Sequence, residues 1–278
     1  MSLDVFVTGT GIPIADANRA GAGVLVRRDD LHLQFDAGRA TVMRLAAIDV
    51  RAGMLDAVFV THHHSDHLQS LDDLAMTRWI ERSDVPLPVV APEGPATRFA
   101  ARCLDAWDDD FEARAHHMGR DTKPRIDVTG FAASDNPSIV WQRDAVSVSA
   151  VAVRHQPLEP AVAFRVDAPE GSVVVSGDTR VCDEVERLAT GVDVLVHEVA
   201  LVHSLDGTPW EVLFEYHADS LALGAMAERA GVRTLVLTHF APPPGLIADV
   251  DRYVADIREG GYSGAVVAAA DLERITVA

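Results

Sequence analysis

Thr61-His62-His63-His64-Ser65-Asp66-His67 is the stretch on which the reading of this chain turns. It follows residues 55–60, Leu-Asp-Ala-Val-Phe-Val, an apolar run of strand length. Beyond it Leu68, Leu71, Leu74 and Ala75 recur at helical spacing, which predicts a helix from near Asp66. Imidazoles and a carboxylate are thus gathered where a strand gives way to a helix, with rigid backbone on both sides. Neutral imidazole and carboxylate suit zinc, or manganese and iron at the oxygen-richer end. The plain alternative is a polar loop with a chance run of histidines. The embedded Asp66 and the position between strand and helix argue against it.

Composition bounds the rest. The chain has 278 residues, 48% of them hydrophobic, enough for one large domain or two small ones. Its net charge is −18, from 42 acids against 24 bases. Binding to a phosphate backbone rests largely on Lys and Arg, so this balance argues against a long nucleic acid as main partner. Solubility alone would also account for the acidity. Cys103 and Cys182 form no ligand motif and read as buried thiols in a reducing setting. Residues 3–8 contain an acid and read as a strand, not a signal peptide. No apolar run reaches membrane-spanning length, so a soluble, cytoplasmic protein is expected.

Strands are predicted over 3–8, 22–27 and 31–36, then a helix over 39–48 before the strand that ends at the histidines. Gly9-Thr10-Gly11-Ile12-Pro13 reads as a turn. A Pro-punctuated strand over 85–92 and a helix over 95–106 follow. Residues 108–145 are hard to read, either a lid or an elaborated edge, and His116 and His117 there read as surface histidines. From residue 146 the pattern returns: strands over 145–153, 161–166 and 172–175, a helix near 181–189 and a strand over 192–196. Three strands, an Asp-containing turn, a helix and a His-tipped strand therefore occur twice, with Asp36 matching Asp178 and His62 matching His197. That repetition fits an α/β fold, a four-layer αββα sandwich of two sheets flanked by helices, each half giving one layer pair in a single domain spanning 1–278. His155, Asp178 and His239 each stand at the end of a predicted strand and are further candidate ligands.

The pattern His-x-His-x-Asp-His after a buried strand resembles the signature of the metallo-β-lactamase fold superfamily. The resemblance implies two divalent ions side by side. His62 and His64 would hold the first, completed by His155. Asp66 and His67 would hold the second, completed by His239, and Asp178 would bridge the two. His63 and Ser65 fill variable positions. Residues 8–27 and Phe35-Asp36-Ala37-Gly38 resemble the ribonuclease Z and arylsulfatase-like branch, in which the matching Asp supports the metal loop without binding metal. His197-Glu198 and Tyr216-His217-Ala218-Asp219-Ser220 resemble two further elements of ribonuclease Z. There a histidine oriented by the glutamate donates a proton to the leaving group, which implies the pair Glu198–His217. Otherwise Glu198 holds structure and His217 caps a helix starting near Ala218.

The chain also departs from that branch. Ribonuclease Z proper carries a long Gly- and Pro-rich arm that clamps tRNA, and its place between His155 and Asp178 holds only a short loop and one hairpin. The expected function is hydrolysis of a small phosphodiester, sulfate ester or carboxylic ester by a metal-activated water. Asp66 would orient the nucleophile and His217 would protonate the departing oxygen. Trp210, Phe214 and Tyr216 form either an apolar wall over the pocket or part of the core. The rival readings are a lactonase or thioesterase without the acid pair, a tRNA 3′-processing endonuclease, and a non-catalytic metal-dependent binder. The cofactor expected is two divalent ions, zinc first, with manganese or iron open. The partner expected is a small-molecule substrate, with a homodimer left open and no membrane.

Overall fold

Apolar residues alternating with polar ones make half-buried strands, and continuous apolar runs make strands covered on both faces. Both kinds occur in this computed structural model, which describes residues 2–202, 205, 207–208, 211–246 and 249–277, apart from the side chains at 213 and 214. The first half runs β1 (Leu3–Gly9), β2 (Gly23–Arg28), β3 (Leu31–Phe35), α1 (Thr41–Ala46), β4 (Ala57–Phe59), α2 (Leu71–Ile80), β5 (Leu87–Pro92), α3 (Pro95–Arg102), α4 (Asp108–Met118) and β6 (Ile126–Phe131). The second runs β7 (Ser138–Arg143), β8 (Val146–Ala152), β9 (Val162–Ala168), β10 (Gly171–Val175), α5 (Asp183–Leu188), β11 (Val194–Ala200), α6 (Ser220–Arg229), β12 (Thr234–Ala241), α7 (Val250–Glu259), β13 (Ala265–Ala268) and β14 (Glu273–Val277).

The strands form two mixed sheets, ordered β14-β1-β2-β3-β4-β5-β6 and β7-β8-β9-β10-β11-β12-β13. Each starts with antiparallel pairs and turns parallel at its fourth and fifth strands, β3–β4 in one and β10–β11 in the other. The predicted repetition is therefore a repetition of topology. Between the sheets lies a core that includes Val5, Leu33, Phe35 and Phe59 from one side and Val148, Phe164 and Val196 from the other. Leu45, Leu71 and Leu74 bury helices α1 and α2 on the outer face of the first sheet. Val185, Leu223 and Ile257 do the same for α5, α6 and α7 on the second. The four layers are αββα, the metallo-β-lactamase arrangement.

Phe164 stands 5.6 Å from Phe35 and 5.5 Å from Phe59, ring centre to ring centre, and so joins the two sheets. Phe164→Ala is expected to cost about 3–5 kcal/mol, the usual span for emptying a buried aromatic site. Urea unfolding followed by fluorescence measures it, and a loss under 1 kcal/mol would show that the sheets do not depend on this contact.

Two expectations change, and the hard-to-read stretch resolves as an elaborated edge. The helix near Asp66 begins later, at Leu71; residues Ser65–His67 form a single 3-10 turn. The reason is tertiary: the Ala37 N–H donates to the His67 carbonyl and the Ser70 N–H to the Ala37 carbonyl, so this backbone is bonded to the β3 loop before helical bonding starts. The two halves do not each complete their own sheet, because β14 returns to pair with β1, Leu3 opposite Val277. That pairing covers what would otherwise be an open strand edge. Residues 108–143 supply α4 and an edge strand to each sheet, β6 and β7. Trp210 and the side chain of Phe214 lie outside the described residues. No described helix is long and apolar enough to cross a membrane.

Candidate metal centre

The loops after β4, β8 and β10 and the last residues of β12 converge on one point. His62, His64, His155 and Asp178 form one group of donor atoms, and Asp66, His67 and His239 another, each within 4.8 Å of one another. Asp178 Oδ2 is 3.8 Å from His62 Nε2 and 3.9 Å from His155 Nε2, and 3.4 Å from the Nε2 atoms of both His67 and His239. It therefore stands between the groups. All seven side chains are buried except that of His64, which is half-buried. His63 turns away toward Phe99, and His197 is buried with its Nδ1 donating to the Glu198 carbonyl 2.7 Å away.

Three of the rings, those of His62, His67 and His155, are aimed by a bond at the far nitrogen. Asp36 does most of this from the left-handed backbone at φ 57°. Its Oδ1 accepts the Thr61 N–H (2.8 Å), and its Oδ2 accepts the Thr61 hydroxyl (2.8 Å) and His67 Nδ1–H (2.7 Å). The Thr61 hydroxyl oxygen in turn accepts His62 Nδ1–H (2.9 Å). His155 Nδ1–H donates to the Tyr216 carbonyl (3.1 Å). These bonds occupy Nδ1–H of His62, His67 and His155 and turn Nε2 inward, where the neutral ring offers the lone pair that a metal ligand needs.

The inward atoms fit a cation. His64 Nδ1 lies 3.1 Å from His62 Nε2 and 3.0 Å from His155 Nε2, three ring nitrogens with at most one proton among them. A shared cation satisfies all three. His67 Nε2 is buried without a hydrogen-bond partner. Burial holds His62 well below the usual imidazole range, lowers His64 to about 4 and lowers His155, so these rings are neutral. For Asp178 burial acts upward, but His239, His67 and His62 outweigh it and keep the carboxyl well below its usual range. For His67 burial acts downward, and Asp178, Asp36 and Asp66 outweigh it and hold it well above the usual value. That half of the pit is anionic and calls for positive charge.

The backbone is shaped to let these groups meet. Gly177 sits at φ 59°, and a Cβ there would come 2.7 Å from the Thr61 side chain. Only glycine lets the Asp178 turn press against the histidine loop. On the other side β12 bulges: Glu198 pairs with Thr238 and Val199 with Phe240, which leaves His239 unpaired at φ 46°. The bulge re-aims the ring into the site.

A family model described as a beta-lactamase superfamily domain matches residues 34–240, from β3 through the His239 bulge. The chain belongs to the metallo-β-lactamase superfamily. Members of this superfamily of metal-dependent hydrolases resemble it over nearly its full length. The protein called Ribonuclease Z in Mycobacterium avium (strain 104) is 37% identical over 282 aligned positions, covering 99% of this chain and 98% of the relative. Among solved structures, the metallo-β-lactamase fold protein YhfI of Bacillus subtilis superimposes with a TM-score of 0.76 at 24% identity, covering 99% of this chain and 100% of YhfI. The short form of human tRNase Z gives a TM-score of 0.76 at 21% identity, over 99% of both chains. At those identities the two structures establish the shared fold.

Beside the superfamily's donor cluster stands a second charged pair. His217 Nδ1–H donates to Glu198 Oε1 at 2.9 Å, and a ring nitrogen of His217 lies within 4.8 Å of Asp178 and His239. Burial alone would lower the His217 pKa, but the Glu198 charge and hydrogen bond, aided by Asp178, raise it to about 9. Glu198 Oε1 also accepts the backbone N–H of Thr179 (3.0 Å) and Ala218 (3.2 Å). One carboxylate thus orients the imidazole and braces the loops around it. The helix after it starts at Ser220, with Asp219 rather than His217 at the cap position. Thr61, and the carbonyl of Tyr216, were not picked out from the sequence. A threonine directly before a histidine cluster carries no signal until its hydroxyl is seen bridging Asp36 to His62.

Proposed function

We propose that this chain is a two-metal hydrolase of phosphodiesters and that the bond it cleaves lies in RNA. The reading rests on Asp178 Oδ2, placed 3.4–3.9 Å from inward imidazole nitrogens of both donor groups. His62, His64 and His155 would hold one ion, Asp66, His67 and His239 the second, and Asp178 both. A donor set dominated by imidazole favours zinc. When bound, such ions supply Lewis-acid stabilisation and bring the pKa of water toward neutrality. Asp66 orients the attacking water. His217, protonated at neutral pH, donates its proton to the departing oxygen, and Glu198 keeps the imidazolium charged and in place.

The composition pointed to a small substrate, and the relatives weigh against that. The M. avium protein matches along 98% of its own length. It therefore has no room for a long added arm either, and the missing arm does not separate this chain from proteins that carry the ribonuclease name. A small phosphodiester is the second reading, favoured by the charge of −18. Cleavage of a precursor tRNA and of bis(p-nitrophenyl) phosphate by the zinc-loaded protein, at moderate salt, decides between them. The RNA reading expects 3′-end cleavage of the precursor at the higher kcat/KM. Turnover of the diester alone selects the second reading, and faster turnover of aryl sulfate, carboxylic ester or lactone than of either phosphodiester would sink both.

Two outcomes test the centre itself. Elemental analysis after mild purification should approach two divalent ions per chain, and a metal-free protein with full activity would remove the proposed chemistry. With a poor leaving group the rate should fall as pH rises through about 9, since His217 is the acid and its pKa is raised to that value. The sign follows from the protonated form being the active one. A rate still rising through that range would assign the proton to another group.

A further inference from the structure

A small space of ≈ 20 Å³ lies on the core side of the metal donors, lined by Val24, Phe35 and Val196 and by Glu198, Thr238 and His239. Its polar wall follows from strand pairing. Glu198 and Thr238 stand opposite each other in the parallel pair β11–β12. Val196 and Val236, two residues earlier on each strand, belong to the core between the sheets, so Glu198 and Thr238 leave the second sheet on that same face. Strict alternation would send His239 to the opposite face, and the bulge after Thr238 brings its ring back.

Three buried polar atoms on this wall have no hydrogen-bond partner among the described residues: Glu198 Oε2, the Thr238 hydroxyl and His239 Nδ1. His62, His67 and His155 each have a fixed partner at Nδ1, and His239 has none. A metal-bound imidazole nearly always donates its other N–H. His239 Nε2 is turned to Asp66 (3.3 Å) and Asp178 (3.4 Å), so when it serves as the ligand atom Nδ1 carries the ring proton. The wall thus offers one N–H donor, one carboxylate acceptor and one hydroxyl that can do either. That set weighs against a cation, which the N–H would repel, and matches water. Asp36 and Ser176 also border the space and have their bonds elsewhere. The size agrees, since one buried water needs roughly 10–15 Å³ and two to four polar partners.

We propose that this space is a binding site for one ordered water, which accepts His239 Nδ1–H, donates to Glu198 Oε2 and bonds the Thr238 hydroxyl, with Thr238 as the residue that positions it. The water gives His239 the support that Thr61, Asp36 and the Tyr216 carbonyl give the other three rings. It also joins the second donor group to the carboxylate that orients His217, so that one network holds both the metal position and the acid pair. The inference rests on the two-metal reading, in which His239 binds through Nε2.

The test is a crystal structure of the zinc-loaded full chain, together with zinc affinities measured by competition against a chromophoric chelator. A water should lie within about 3.2 Å of all three atoms. Thr238→Val keeps the side-chain shape and removes the hydroxyl. It should weaken one of the two zinc sites on the order of tenfold or more while the other binds as before, the usual effect of losing an outer partner of a metal-bound histidine. Thr238→Ser, which keeps the hydroxyl, should restore most of that affinity. A structure without a water there, or with His239 Nδ1 bonded directly to Glu198, would overturn the proposal. So would unchanged zinc affinities in Thr238→Val, or equal weakening of both sites, which would mean general damage to the fold. Two zinc ions without the water remove this inference alone. The water and both ions in a protein that cleaves no phosphodiester remove the hydrolase reading alone.

Discussion

Asp178→Ala is expected to empty both metal positions at once and to lower turnover on the order of 10³–10⁵-fold, the several kcal/mol that metal stabilisation of a transition state supplies. The reason is its place: Oδ2 lies 3.4–3.9 Å from four imidazole nitrogens, two in each donor group. Among the described residues no other side chain serves both. By contrast His64→Ala should weaken one position and spare the other, because His64 belongs to one group only. Elemental analysis of the two variants, prepared side by side, gives the comparison. Retention of either ion at full occupancy in Asp178→Ala would remove it from the bridging role.

His217→Ala should lower turnover on the order of 10²–10⁴-fold for a substrate with a poor leaving group, the usual span for general acid catalysis. Both ions should remain bound. With a nitrophenolate leaving group, which departs without a proton, the loss should shrink toward nothing. Glu198→Gln should be milder in both respects. A glutamine oxygen can still accept from His217 Nδ1–H and from the Thr179 and Ala218 backbone, so what goes is the charge that keeps the imidazole protonated. Equal losses for good and poor leaving groups would point to substrate positioning. An unaffected rate with every substrate would leave Glu198–His217 as a loop brace and favour the lactonase or thioesterase chemistry.

The candidate site was unusually legible because its residues carry their meaning locally. Thr61–His67 compresses four donors into one loop after a strand, and the period-2 and apolar runs around Val5, Leu33, Val148 and Val174 announce strands wherever they occur. The stretch 108–145 was not legible, since its strands are sheet edges: β6 reads intermediate, exposed, intermediate, exposed along its first four residues and has no continuous apolar run to mark it. The segment after His239 was silent for a similar reason. Residues 265–268 and 273–277 are short, and only their pairing with β12 and β1 makes them strands.

Apart from the Glu198 and His217 pair, which only the family resemblance implied, the sequence by itself determined which residue types are present in which order: the donor loop, the three later donors at strand ends, and a twofold run of elements suited to two packed sheets. Spacing along a chain can say that much, because strand and helix periods are local properties. Distances across the chain are not. That Asp178 stands between the donor groups, that Asp36 reaches Thr61 and His67 together, that a bulge turns His239 inward, and that Asp271 ties down a loop 261 residues away were decided only by the tertiary structure. Sheet order brings those segments to one edge, and each contact depends on a backbone conformation, φ 57° at Asp36, 59° at Gly177 and 46° at His239, that packing imposes and local sequence does not.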